Sequence, residues 1–227
     1  MNTSNTKTTF SRADLKWIAA VSMVLDHMGC VFISQQTFPV LYYLLRLMGR
    51  VSFPIICFLL VQGIGYTKNK SRYISRLFAF ALISEIPYDL VFYGKLVHIG
   101  AQNVLFTLFI GLGVLFIIEK INEKKEDSII KSALTVLAGM ALAYFLRVDY
   151  SFWGILMILA FYLGQYQTKE RQRFILIIIC ALQGILQLFA SAALVFTENY
   201  NPDKKGKIPN SFFYFFYPIH LFILWLL

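Results

Sequence analysis

Charged residues are scarce in this chain of 227 residues. Asp, Glu, Lys and Arg make up 15% of it, hydrophobic residues make up 58%, and the mean hydropathy is +0.65. Globular domains average about 25% charged and about 45–50% apolar residues. The composition therefore excludes a disordered chain, argues against a soluble domain, and is typical of a protein that crosses a membrane many times.

Cysteine is also rare, and the common catalytic motifs are lacking. Cys30, Cys57 and Cys180 lie within apolar runs, which favours buried thiols that act as small hydrophobic side chains over a disulfide framework. The sequence contains no His-Glu-x-x-His, no paired-cysteine motif, no Walker loop and no nucleophile elbow. We therefore expect no metal site.

The apolar runs predict an all-α fold, a polytopic membrane helix bundle. A span needs about 20 apolar residues, so the chain has room for about eight transmembrane helices. We expect one domain, residues 1–227, that begins with a polar cytoplasmic leader, residues 1–14. A break at Gly49–Pro54 predicts a discontinuous second helix. The runs are Leu15–Ile33, Phe38–Tyr66, Leu77–Tyr93, Val104–Ile118, Ile129–Leu146, Phe152–Leu163, Phe174–Phe196 and Phe212–Leu227.

The basic residues predict the orientation of the chain. Lys and Arg number 21 against 12 for Asp and Glu. In membrane proteins such an excess collects in cytoplasmic segments. With a cytoplasmic N-terminus, fourteen of the 21 basic residues fall on that side, and eight spans return the C-terminus to it. The expected partner of this surface is a lipid bilayer and not a nucleic acid.

Several ionisable residues lie inside the apolar runs, where burying a charge is costly. Arg46 and Arg50 are four residues apart, as are Glu85 and Asp89, so each pair shares a helix face. The charges nearly balance, which predicts a paired cluster that is either a functional site or a set of structural ion pairs. Its members are Asp26, His27, Arg46, Arg50, Glu85, Asp89, Arg147, Asp149 and His220.

One spacing suggests a substrate. Lys16 and His27 are eleven residues apart, which places them on nearly the same helix face and about 16.5 Å apart along the axis. A lysine at the membrane surface could hold a phosphate while the imidazole reaches the interior, and coenzyme A is a ligand of that shape. A lysine in this position is also an ordinary surface anchor.

Five sequence blocks occur together between residue 15 and the C-terminus. They are Leu15–Ala19 with Asp26–Gly29, Leu45–Pro54, Arg76–Asp89, Gln102–Leu108 and Phe216–Leu221. Together they resemble the TraX family of bacterial inner-membrane proteins, named for acetylation of the N-terminus of conjugative pilin. Lys16-x10-His27 is also similar to the basic-x10-His pattern in the first span of wider transmembrane acyltransferases.

The resemblance implies an acetyltransferase in the bacterial cytoplasmic membrane. It implies acetyl-CoA as the donor and an acceptor on the far side of the membrane. The acceptor would be a pilin-like protein, a glycan or a lipid headgroup that offers an amine or a hydroxyl.

On this hypothesis the cluster divides into three roles. His27 is the general base, oriented by Asp26 or Glu85, with His220 in reserve. Lys16, Arg76, Arg46 and Arg50 form the candidate CoA-binding set, with Arg12 as a further aid to Lys16; Arg46 or Arg50 would also stabilise the oxyanion. The remaining polar residues contact substrate or support the fold: Asp89, Gln102, Asn103, Arg147, Asp149 and Tyr217.

Two other functions remain open from the sequence. A proton-coupled transporter or flippase would line its pathway with the same buried charges and the same broken helix. A non-catalytic membrane assembly protein would use the charges only to hold its helices together.

Overall fold

The computed structural model of the protein describes residues 9–124, 128–204, 206–209 and 211–227. Within these ranges the chain forms eleven α-helices, one short 3-10 helix and two isolated bridges, with no strand, which confirms the expected all-α class. The α-helices are α1 (Arg12–Phe32), α2 (Pro39–Gly49), α3 (Ser52–Tyr66), α4 (Lys70–Tyr93), α5 (Val104–Lys124), α6 (Ser128–Phe145), α7 (Ser151–Gly164), α8 (Lys169–Leu182), α9 (Ile185–Leu188), α10 (Ala193–Thr197) and α11 (Phe212–Leu226).

The first helix begins earlier than the sequence predicted. Ser11 Oγ accepts from the Asp14 N–H at 3.1 Å, and Asp14 Oδ2 accepts from the Ser11 N–H at 2.8 Å. This capping box satisfies donors at the helix start, so α1 begins at Arg12 within the expected leader. Residues 1–8 of that leader, including Lys7, lie outside the described residues.

The predicted break in the second apolar run is confirmed. α2 ends at Gly49 and α3 begins at Ser52. Pro54 lies in the first turn of α3, where its missing N–H removes no helical hydrogen bond. The break places Arg50 at the joint between the two helices.

Apolar side chains cover the outside of the bundle, while several polar ones lie within it. On α4, Leu82, Ile83 and Ile86 are 51–55% exposed. On the same helix Ser84 and Asp89 are buried. Such an exterior suits lipid as the solvent, because polar groups in a membrane protein face the bundle interior.

Four segments of the described chain are long and apolar enough to cross a membrane. They are Arg12–Phe32, Pro39–Tyr66, Val104–Lys124 and Ser128–Phe145. Three further apolar helical stretches are shorter, namely Ser151–Gly164, Ile185–Thr197 and Phe212–Leu226. The expectation of about eight spans is therefore not confirmed.

The run Phe174–Phe196, which was expected to cross once, instead forms a helical hairpin. The chain turns at Gly184, whose φ of +108° favours glycine. Arg173 on α8 and Glu198 beyond α10 form an ion pair at 2.6 Å. The hairpin therefore enters and leaves at the same end of the bundle, a reversal that apolar composition alone does not reveal.

The hairpin determines the end of the bundle at which the last helix, α11, terminates. α1 and α11 run parallel, because Trp17 packs on Phe212 near their starts and His27 packs on His220 further along. The last residues of α11 therefore lie at the end of the bundle opposite the start of α1. The structure therefore does not confirm the expectation that both termini lie on one side of a membrane.

Basic residues collect at the end of the bundle where α1 begins, which we call the basic end; the opposite end is the distal end. Residues 198–204 and 206–209 lie at the basic end, since Lys204 pairs with Asp14 at 3.0 Å and a Cβ on Gly206 would collide with Ala13. Fourteen of the eighteen described basic residues lie at this end: Arg12, Lys16, Lys68, Lys70, Arg72, Arg76, Lys120, Lys124, Lys131, Lys169, Arg171, Arg173, Lys204 and Lys207.

This arrangement predicts the outcome of cysteine labelling in intact cells. In a background with alanine at all three native cysteines, Lys207→Cys should react with a membrane-impermeant maleimide from the same side as Lys68→Cys. Leu227→Cys should react from the same side as Lys95→Cys, because Lys95 follows the end of α4 at the distal end. Labelling after solubilisation is the control for access, and a Leu227→Cys variant that follows Lys68→Cys would contradict the parallel arrangement.

Candidate active site

Three cavities lie in series along the bundle. The basic cavity, about 640 Å³, contains Lys16; the central cavity, about 330 Å³, contains His27; and the distal cavity, about 490 Å³, contains Arg147. The basic and central cavities share Met23, Ile56, Val104 and Tyr217 in their walls. The central and distal cavities share Arg50, Tyr88, Tyr93, Asp149 and Tyr150. The central cavity, which contains His27, therefore adjoins both of the others.

An ion cluster links α1 to the broken helix at the central cavity. Both Asp26 carboxylate oxygens accept from Arg50 Nη2, at 2.7 and 2.8 Å, and Oδ2 also pairs with Arg46 Nη1 at 2.9 Å. Gly49 makes this approach possible, since a Cβ at that position would collide with the Asp26 side chain. Two guanidinium groups thus share one carboxylate, and Asp26 binds them instead of orienting His27 as expected.

The two histidines contact one another directly. His27 Nδ1 lies 2.9 Å from His220 Nε2, and the two ring planes are 11° apart with centroids 5.0 Å apart. His220 Nδ1 lies 2.9 Å from the Phe216 carbonyl oxygen. The group that positions His27 is therefore His220, brought to it by the parallel packing of α11 on α1.

This chain of contacts assigns the tautomers of both rings. The Phe216 carbonyl can only accept, so His220 Nδ1 donates to it and the neutral ring leaves Nε2 without a proton. His220 Nε2 then accepts from His27 Nδ1. The neutral His27 ring consequently carries its free lone pair on Nε2, and that ring lines the central cavity. A histidine held in this form is suited to general-base chemistry.

The basic cavity contains the cations expected to hold phosphates. Lys16 is 5% exposed, and its Nζ donates to the Pro209 carbonyl at 2.7 Å. The Arg12 guanidinium lies 5.2 Å from the centre of the Tyr66 ring, and its buried Nη2 has no hydrogen-bond partner among the described residues. With Arg76 they form a positive wall to this cavity.

Arg46 and Arg50 lie away from that wall. Both line the central cavity beside Asp26, ten residues and about 15 Å along α1 from Lys16. They therefore do not combine with Lys16 on one phosphate group, contrary to their place in the expected CoA-binding set. Their position suits stabilisation of charge near His27.

The distal cavity is formed by the segment between α6 and α7. Arg147 and Tyr150 have positive φ values of 54° and 61°, and Arg147 and Asp149 both line the cavity. Gln187, in the α8–α10 hairpin, accepts from Arg50 Nη1 at 3.3 Å and also lines the cavity. The hairpin thus contributes to the wall of the distal cavity, next to Arg50.

Apart from His220, which contacts the central cavity only through His27, four predicted residues lie outside the three cavities and bond to backbone groups near them. Glu85 Oε1 accepts from the Asn103 N–H at 2.7 Å, and Asn103 Oδ1 accepts from the Leu105 N–H at 2.9 Å. Asp89 Oδ2 accepts from the His98 N–H at 2.6 Å. Gln102 bonds through its main chain to Arg147 and Asp149. The structure does not bring Glu85 to His27.

Sequence reasoning overlooked Cys30, whose side chain lines the central cavity and accepts from Arg46 Nη1 at 2.6 Å. The sequence feature that could have identified Cys30 is its spacing, three residues after His27 on the same helix. Tyr217, which the sequence placed in the polar cluster, lines both the basic and the central cavity. The described residues contain no group of three His, Cys, Asp or Glu arranged to hold a metal ion.

Known proteins resemble this chain over almost all of its length. The TraX protein family matches residues 11–227. A relative described as "Probable fimbrial assembly protein FimC, serogroup H1", from Dichelobacter nodosus, is 29% identical over 242 residues, which cover 95% of this chain and 94% of the relative. No solved structure matches the chain. Because the family match runs from the cap of α1 through both histidines to the end of α11, the chain belongs to the TraX family.

Proposed function

We propose that the protein transfers an acetyl group from acetyl-CoA, bound at the basic end, to an acceptor that reaches the central cavity from the distal end. One observation carries the proposal: a cavity with a cationic wall adjoins, through four shared wall residues, a cavity that contains a paired histidine and two arginines. The positive-inside rule makes the basic end cytoplasmic, where acetyl-CoA is available.

The basic cavity suits the nucleotide end of the donor. Lys16, Arg12 and Arg76 supply positive charge for phosphate groups, and Tyr66 and Tyr73 supply aromatic faces for a base. A phosphate oxygen would replace the Pro209 carbonyl as the acceptor for Lys16 Nζ. From there the pantetheine arm would pass Met23 and Tyr217 into the central cavity, so that the thioester meets His27.

The central cavity suits acyl transfer. His27 Nε2 would take the proton of the attacking nucleophile while that nucleophile bonds to the acetyl carbon. Arg46 or Arg50 would stabilise the oxyanion that develops on the carbonyl oxygen. The carbon–sulfur bond to CoA then breaks, and His27 returns the proton to the leaving thiolate. His220 holds His27 in the required tautomer and orientation.

The distal cavity suits the acceptor. It is bounded by Arg147, Asp149 and Tyr150, and it opens at the end of the bundle opposite the donor. The Dichelobacter nodosus relative is named for fimbrial assembly, which favours a pilin subunit as the acceptor. Glycans and lipid headgroups are the other acceptor classes that a test must include.

Substitutions at Lys16 and His27 should separate binding from chemistry. Lys16→Ala should weaken acetyl-CoA binding by about tenfold or more, because a hydrogen bond between charged groups contributes about 1.5–3 kcal/mol. His27→Ala should leave that binding largely intact but lower acetyl transfer by about a hundredfold or more. Calorimetry with acetyl-CoA and transfer of labelled acetyl to envelope fractions give the two measurements.

Lys120→Ala is the matched control, since Lys120 is an exposed basic residue of α5 that lines none of the three cavities. This variant should change neither the affinity for acetyl-CoA nor the rate of acetyl transfer. Undiminished transfer by His27→Ala would remove that residue from its role. Solute or lipid movement in proteoliposomes without CoA, and no acetyl transfer, would favour a transporter instead.

His220 should act through His27 and not on the acceptor. His220→Phe keeps an aromatic ring but removes the nitrogen that accepts from His27 Nδ1, so the transfer rate should fall while acetyl-CoA binding stays unchanged. His220→Gln offers an amide oxygen at a similar distance and should recover part of the rate. Equal loss in both variants would contradict the positioning role, and loss of acetyl-CoA binding in both would point to a damaged fold.

A further inference from the structure

We propose that Cys30 accepts the acetyl group as a thioester before it passes to the acceptor, so that transfer proceeds in two steps. This inference rests on the proposed function. It adds a covalent site in the central cavity, formed by Cys30, His27 and Arg46.

The position of Cys30 suits a relay. It follows His27 by three residues, so the two side chains lie on one face of α1 and Cys30 lies about 4.5 Å further toward the distal end. Both line the central cavity. An acetyl group on Cys30 would thus have moved from the donor side of His27 to the acceptor side.

A guanidinium group contacts the sulfur of Cys30. Arg46 Nη1 donates to Cys30 Sγ at 2.6 Å and also contacts Asp26 Oδ2 at 2.9 Å. Asp26 is shared with Arg50, so these three charged groups carry one excess positive charge; Asp149 lines the same cavity on its distal side. A guanidinium in contact with sulfur stabilises the thiolate, which is the nucleophilic form of cysteine.

The other two cysteines provide an internal comparison. Cys57 and Cys180 are 0% and 2% exposed and belong to the apolar core. Neither lines any of the three cavities. Non-specific acetylation of thiols in unfolded protein would modify all three cysteines. A reaction in the central cavity of the folded protein would modify Cys30 alone.

The two steps balance. In the first, His27 takes the Cys30 thiol proton, Sγ bonds to the acetyl carbon, the carbon–sulfur bond to CoA breaks, and the CoA thiolate receives the proton from His27. In the second, His27 takes the proton of the acceptor amine or hydroxyl, the acceptor bonds to the acetyl carbon, and the Cys30 thiolate leaves and is reprotonated. No oxidant, reductant or metal is required.

A two-step transfer also matches the cavity series. The donor enters through the basic cavity and the acceptor through the distal cavity, and both need the central cavity of about 330 Å³. With the acetyl group held on Cys30, CoA can leave before the acceptor arrives. The two substrates then use the central cavity in turn.

The test is isotope exchange by the purified full-length protein without any acceptor. Acetyl-CoA is mixed with labelled CoA, and label is followed into acetyl-CoA, while peptide mass spectrometry after acid quenching locates acetyl groups on the protein. The wild type should catalyse exchange and carry acetyl on the Cys30 peptide. Cys30→Ala and Cys30→Ser should lose exchange, whereas Cys57→Ala and Cys180→Ala should retain it.

Thermal denaturation with and without acetyl-CoA shows whether each variant is folded and binds the donor. Exchange that persists in a folded Cys30→Ala variant overturns the relay and leaves the proposed function intact. So does a wild type that is stabilised by acetyl-CoA yet shows neither exchange nor acetyl on Cys30. A wild type that acetyl-CoA does not stabilise, and that exchanges nothing, overturns both.

Discussion

The contact between Asp26 and the two arginines of the broken helix organises the rest of the site. Three charges at membrane depth are costly unless they are paired, and here one carboxylate on α1 serves Arg46 and Arg50 together. The pairing fixes α1 against the joint between α2 and α3. It thereby sets the wall of the central cavity, the contact of Arg46 with Cys30 and that of Arg50 with Gln187.

The parallel packing of α1 and α11 is a second constraint on the site. α1 and α11 run parallel only because the α8–α10 hairpin returns to the basic end before α11 begins. This brings His220 to His27, and it places Lys16 and Pro209 together at the basic cavity. One reversal at Gly184 therefore accounts for the histidine pair, for the presence of Lys204 and Lys207 at the basic end and for the position of the C-terminus.

Features that depend on neighbouring residues could be predicted from the sequence, whereas contacts between distant helices could not. The break at Gly49–Pro54 and the all-α class follow from proline and from the apolar runs. Charge within those runs also selects Asp26, His27, Arg46, Arg50 and His220 as the residues that the structure brings together. Pairing between distant helices did not follow: carboxylates were expected to orient His27, yet His220 does so. The hairpin was overlooked because the run through Gly184 is as apolar as a span. Cys30 was taken for core because its partner, Arg46, comes from another helix.

The central claim is that acetyl-CoA lies along the basic and central cavities with its thioester at His27. The most direct measurement is a structure of the protein in lipid with a non-hydrolysable acetyl-CoA analogue. We expect density for the phosphate groups beside Lys16, Arg12 and Arg76, and we expect the acyl carbon to lie near His27 and Cys30. An analogue bound elsewhere, or one whose acyl end does not pass Met23 and Tyr217, would contradict it.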